Sequence, residues 1–238
     1  MTQFKLASLA LAATLAFAAA PAGAAVLVQS ATVGGVPTGV AYANLNDLTL
    51  GNAGGNALAS NGQSLAIAFL GNAKAVQGAA SGQYAAPVLS NGNGASFGTP
   101  NGVDATTYLT SGSANAVAGS GVEIVLPEAM KYFGLLWGSV DSYNFLDFYD
   151  GNTLLGTISG SDVTASANGD QGTQGTFYVN ILSDAAFTRV VARSNGYAFE
   201  FDNLAFNVSD PVPGPATLSL MGLALLGLGT AAGRRRTR

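Results

Sequence analysis

The sequence predicts an all-β ectodomain, a β-sandwich or jelly roll, carried between two targeting segments. Three observations predict it. Glycine reaches 32 of 238 residues while charged residues make up 9%, far below the ~25% of ordinary globular chains. Asn-Gly recurs at Asn61-Gly62, Asn91-Gly92, Asn93-Gly94, Asn101-Gly102 and Asn195-Gly196, a dipeptide suited to the left-handed backbone of tight reversals. From Gly121 to Ser209, short apolar runs rich in aromatic and β-branched residues are separated by polar turns, the spacing of a sandwich.

Residues 1–24 have the three parts of a signal peptide. Lys5 supplies the positive start, Leu6–Ala20 is an apolar run, and Ala22 and Ala24 flank Gly23 as a small-x-small cleavage site. The mature chain is therefore expected to begin at Ala25. Residues 25–209 form the ectodomain. In its first half the best strand is Ser64–Leu70; the segment Gly51–Asn56 lacks the aspartates of a calcium-binding nonapeptide array. In residues 121–209 the expected strands are Val122–Leu126, ended by Pro127, then Tyr132–Val140 and Tyr143–Tyr149. Thr153–Ser159, Phe177–Leu182, Phe187–Arg193 and Tyr197–Val208 follow. Asp150-Gly151-Asn152 and Asn195-Gly196 read as hairpin turns.

Residues 210–238 form a tail. A proline-rich break leads into residues 216–232, which carry no charge, and then into Arg234, Arg235, Arg236 and Arg238. A helix over 216–232 rises about 26 Å, enough for a short membrane span. The arginines should hold its end in the cytoplasm with the ectodomain outside.

The tail resembles the PEP-CTERM sorting signal: a proline motif, a short transmembrane helix and an arginine-rich end. The usual Val-Pro-Glu-Pro reads Val212-Pro213-Gly214-Pro215 here. The same tail is sometimes called an ice-binding protein C-terminal domain. The resemblance implies an exosortase-like transpeptidase as partner, acting after signal peptidase. It also implies an inner-membrane-anchored precursor in a Gram-negative-type bacterium, delivered to the cell surface or extracellular matrix. The strings Tyr132–Phe145, Phe148–Gly151 and Tyr197–Leu204 resemble a group of exosortase-dependent surface proteins. More loosely, Phe199-Glu200-Phe201-Asp202-Asn203 is similar to the closing strand of carbohydrate-binding β-sandwiches.

Charge and composition exclude several functions. All 13 acidic residues lie between Asp47 and Asp210, where only Lys74, Lys131, Arg189 and Arg193 oppose them. An ectodomain this acidic repels phosphate backbones, so nucleic acid is not an expected partner. Neither cysteine nor histidine occurs, which removes disulfides, thiolate nucleophiles, imidazole bases and most zinc chemistry. No Gly-x-Ser-x-Gly or Ser-x-x-Lys motif replaces them, so no catalytic residue is assigned and an enzyme is not expected.

Carboxylates and aromatics remain. Glu200 and Asp202, two apart on a strand, share one face; they suit a solvated or hydrogen-bonded surface, calcium, or a carboxylate-based glycosidase. Asp147 and Asp150 flank a hairpin, with Asp141 at the preceding turn. They are calcium candidates against the plainer role of turn capping. Trp137, Tyr143, Tyr149 and Tyr197 are candidate sugar platforms, Trp137 competing with a place in the core. The sequence thus points to an exported surface or matrix protein with a structural or adhesive role. Its alternative is a carbohydrate-binding module for exopolysaccharide, with Ca²⁺ as the conceivable cofactor.

Overall fold

Between two turns, Ser64–Leu70 alternates outward and inward side chains, burying Leu65 and Ile67, the period-two pattern of a half-buried strand. The computed structural model describes residues 30–209, and this pattern organises most of them. The strands are β1 (Ser30–Val33), β2 (Ala41–Ala43), β3 (Gly55–Leu58), β4 (Ser64–Leu70), β5 (Lys74–Val76), β6 (Val88–Leu89) and β7 (Gly102–Val103). They continue as β8 (Tyr108–Thr110), β9 (Gly121–Gly138), β10 (Asn144–Asp150), β11 (Thr153–Ser159), β12 (Phe177–Ser194) and β13 (Glu200–Asn207). Helix among the described residues amounts to single turns at Ala95–Phe97 and Gly160–Val163. The all-β class is as expected. The signal segment with Ala22 and Ala24, Val212 to Pro215, and the arginine tail lie outside the described residues, within which no helix is long and apolar enough to cross a membrane.

All strands but β6 and β7 join one antiparallel sheet, built on two strands longer than the sequence suggested. Val122–Leu126 and Tyr132–Val140, expected to be separate, merge into the 18-residue β9. Pro127 does not end it, because no ladder partner is registered opposite residues 126–129 and its missing N–H costs nothing there. Phe177–Leu182 and Phe187–Arg193 likewise merge into β12, whose register with β9 shifts on either side of Phe187.

These two strands run through both ends of the sheet. At one end the order is β3-β4-β9-β12-β10-β11; at the other it is β1-β12-β9-β13-β8-β5, with β2 also on β13. The irregular middle of β9 reverses which parity faces inward. Val122, Ile124 and Leu126 lie in the same core cluster as Phe133, Leu135 and Trp137. Phe133 from one end meets Phe148 of β10 from the other edge-on at 6.1 Å between centroids, and Phe148 meets Phe187 at 5.0 Å. Buried aromatics of this kind each contribute about 1.5–3 kcal/mol by leaving water.

The expected turn at Asp150-Gly151-Asn152 joins β10 to β11, with Gly151 at φ +55°. Asn195-Gly196 instead reverses the chain between strands that do not pair, because β9 lies between β12 and β13. The poorly patterned segment between β5 and β8 lies over the face of β9 and β13 turned away from the main core. Leu89 and Phe97 pack there with Tyr132, Leu136 and Tyr178, and Ala86 packs with Tyr108. That segment roofs the candidate site.

Candidate binding cleft

Where β13 begins, alternation splits its side chains between two faces. Phe199 and Phe201 enter the main core, Phe199 stacked on Trp137 at 4.3 Å, while Glu200 and Asp202 point the other way, under the roof. The same-face expectation for these carboxylates holds, but their surface is not solvated: Glu200 is 2% exposed and Asp202 0%. They also serve different places. Glu200 borders a cleft of about 480 Å³, and Asp202 turns toward Asp104 and Thr106.

Glu200 is held at both oxygens. Ser139 Oγ donates to Oε2 at 2.5 Å, and the Ala85 N–H donates to Oε1 at 3.0 Å. Ser139 reaches it from the residue after β9, in the left-handed backbone region at φ +40°. Burial raises the Glu200 pKa above the usual carboxylate range, the two hydrogen bonds oppose this, and the nearby charge of Asp141 adds to the rise. Asp141 lines the same cleft and is bridged through backbone to Asn168. Its pKa is also raised by burial, against a hydrogen bond with Tyr143. Burial, then that same carboxylate, pushes the Tyr143 hydroxyl up to about 12. Gly169 allows this packing: its φ is +72°, and a Cβ there would lie 2.7 Å from both Asp141 carboxylate oxygens.

Tyr84, Tyr143 and Tyr197 line the same cleft, with the amides of Gln83, Asn168 and Gln171 between them. Tyr197 is 46% exposed; its hydroxyl accepts from Asn72 Nδ2 at 3.2 Å, and its carbonyl accepts from Tyr143 at 3.4 Å. The cleft therefore offers aromatic faces, carboxylate acceptors and amide donors together, the groups that suit a neutral polyhydroxyl ligand.

The remaining expected site residues are dispersed. Asp141 groups with Glu200 rather than with the hairpin aspartates. Asp147 is engaged by Arg193, with Nε to Oδ2 at 2.5 Å and Nη2 to Oδ1 at 3.1 Å, and by Thr157 at 2.6 Å. Asp150 lies exposed at the turn. A calcium cluster of Asp141, Asp147 and Asp150 is thus not assembled, and no group of three or more acidic residues gathers among the described residues. Trp137 is fully buried, out of reach of any sugar and part of the core. Tyr149 has a face covered by the Arg189 guanidinium, 4.1 Å from its centroid. Tyr143 and Tyr197 are the sugar candidates that reach a cleft. Sequence reasoning missed Gln83, Tyr84, Ser139, Asn168 and Gln171, which sit in loops without periodicity, and Asp104, a lone charge in a polar stretch. The chain matches no family model and no curated protein.

Proposed function

We propose that this chain is an exported, non-enzymatic surface module that holds a neutral polysaccharide in the cleft beside β13. The observation carrying this reading is the convergence of Tyr143 and Tyr197 on the Asp141–Glu200 floor. Tyrosine rings pack on the C–H faces of sugars, and carboxylates accept from their hydroxyls. Glu200 suits binding better than acid–base catalysis because both its oxygens already accept from Ser139 and Ala85. The continuous core between the two ends of the sheet favours a β-sandwich as its architecture. The role is adhesive: the module links envelope or matrix to exopolysaccharide, and Val212-Pro213-Gly214-Pro215 with the arginine tail directs its sorting by an exosortase-like enzyme. The test is a glycan array probed with the full chain. Binding to neutral glycans that is lost in Tyr143→Ala/Tyr197→Ala supports the proposal; an array without binding, or binding that the double variant retains, overturns it.

A further inference from the structure

A second polar place lies deeper under the roof, where residues 104–107 meet β13. Asp104 is 1% exposed and Asp202 0%. The Thr106 hydroxyl reaches both, 2.5 Å from Asp104 Oδ1 and 3.4 Å from Asp202 Oδ2. It has one proton to give, and the shorter contact takes it. The two carboxyl groups also stand within hydrogen-bonding reach of each other. Their remaining oxygens, Asp104 Oδ2 and Asp202 Oδ1, are buried without a protein donor.

The titratable groups around this pair bring no positive charge. Tyr178 of β12 lies near Asp202, and Tyr108 of β8 lies near Glu200 and Asp104. Burial raises both phenols, which stay neutral. The ion pairs among the described residues are those of Arg189 and Arg193 on the outer face. Two ionised carboxylates accept and cannot donate, so in contact they repel and leave their oxygens unanswered. One proton turns a carboxyl into a donor toward its neighbour and halves the buried charge. In keeping with this, burial first, then the Asp104 charge, raises the Asp202 pKa well above the usual carboxylate range. Hydrogen bonds from the Asn203 N–H and Thr106 oppose the rise.

We propose that Asp104 and Asp202 share one proton, and that this proton latches the roof segment onto β13 until alkaline pH removes it. The effect reaches the cleft. The Asp104 N–H donates to the Pro87 carbonyl at 2.8 Å, and the Ala85 N–H donates to Glu200 at 3.0 Å. The roof is thus tied to one face of β13 at Asp202 and at Glu200, and the cleft wall of Gln83, Tyr84 and Ala85 hangs from both ties. The folded protein holds a proton that the unfolded chain releases near about pH 4. The stability it contributes is full below that pH and is lost as pH rises through the folded pKa. Above that, two buried charges press the roof off β13. The latch stands whether or not the cleft binds sugar.

Urea unfolding of the full chain from acidic to alkaline pH tests it, with chelator present so that no cation stands in for the proton. Asp104→Asn puts an amide donor in the place of a carboxyl oxygen and needs no proton to meet Asp202. Its folding equilibrium constant should gain on the wild type by about tenfold per pH unit, from the ordinary carboxylate range up to the folded pKa. Amide exchange at Ala85 and Asp104 should quicken with pH more in the wild type than in the variant. A stability gap that does not change with pH, or equal exchange in the two proteins, overturns the proposal. Should Asp104→Asn not fold, Asp202→Asn supplies the same comparison. If neither folds, the protonated-carboxyl stretch in the infrared spectrum decides. It should be present at neutral pH in Glu200→Gln/Asp141→Asn, which keeps the pair, and its absence there overturns the proposal.

Discussion

The two ends of the sheet cover their carboxylates by opposite means. On the outer face of the β10–β12 end, Asp147 is matched by Arg193 and Glu123 by Arg189. Under the roof at the β13 end, Asp104, Asp141, Glu200 and Asp202 meet hydroxyls, backbone N–H groups and one another. The first arrangement compensates charge in place and leaves it nothing further to do. The second holds acidic groups out of water without a countercharge from arginine or lysine, an environment suited to a ligand rich in hydroxyl groups. The difference teaches where to look for function: at the end where charge is buried but not balanced by arginine or lysine.

The largest effect should come from the core that both ends share. Trp137→Ala removes a fully buried ring stacked on Phe199 and should cost about 3–5 kcal/mol in urea unfolding. A cost below 1 kcal/mol would mean that the roofed end does not depend on that core. Next, Arg193→Ala strips the partner from a largely buried Asp147, leaving Thr157 as its remaining donor. Destabilisation of about 1–3 kcal/mol is expected, and a neutral outcome would erase the contrast between the two ends.

The pH response sharpens the comparison further. Burial first, then neighbouring carboxylates, raises the Glu200 and Asp202 pKa values in the folded state. The folded protein therefore holds protons that the unfolded chain releases near pH 4. The stability these groups contribute is fully present below that pH and is lost as pH rises through their folded pKa values. In chelator, the melting temperature should fall with rising pH over that window, and Glu200→Gln should flatten the fall. A profile unchanged by Glu200→Gln would show that its burial carries no such penalty. The smallest effect on stability belongs to Tyr197→Ala at the cleft mouth, within about 0.5 kcal/mol, although glycan binding should drop markedly. A large loss of stability instead would make Tyr197 a structural residue, not a binding platform.

Alternation and turn chemistry made much of the architecture legible in advance. Leu65 and Ile67 in β4, Asp150-Gly151-Asn152 between β10 and β11, and the opposed faces of Phe201 and Asp202 all follow from local pattern. The merging of strands across Pro127 does not, because a proline stops a strand only where a neighbour needs its N–H, and neighbours are assigned by the whole sheet.

Composition alone determined that this chain carries no thiol or imidazole group and that its middle is acidic. Tertiary structure decided which carboxylates share a site. Asp141 and Glu200 are 59 residues apart and are brought together by the pairing of Glu200 with Gly138; Asp104 and Asp202 are 98 apart, brought together by a roof segment whose Gly, Ala and Ser carry no periodic signal. Tertiary structure also placed Trp137 in the core and Tyr197 at the cleft. Local sequence tells which side chains share one face of a strand, but what covers that face is settled only when distant segments pack against it.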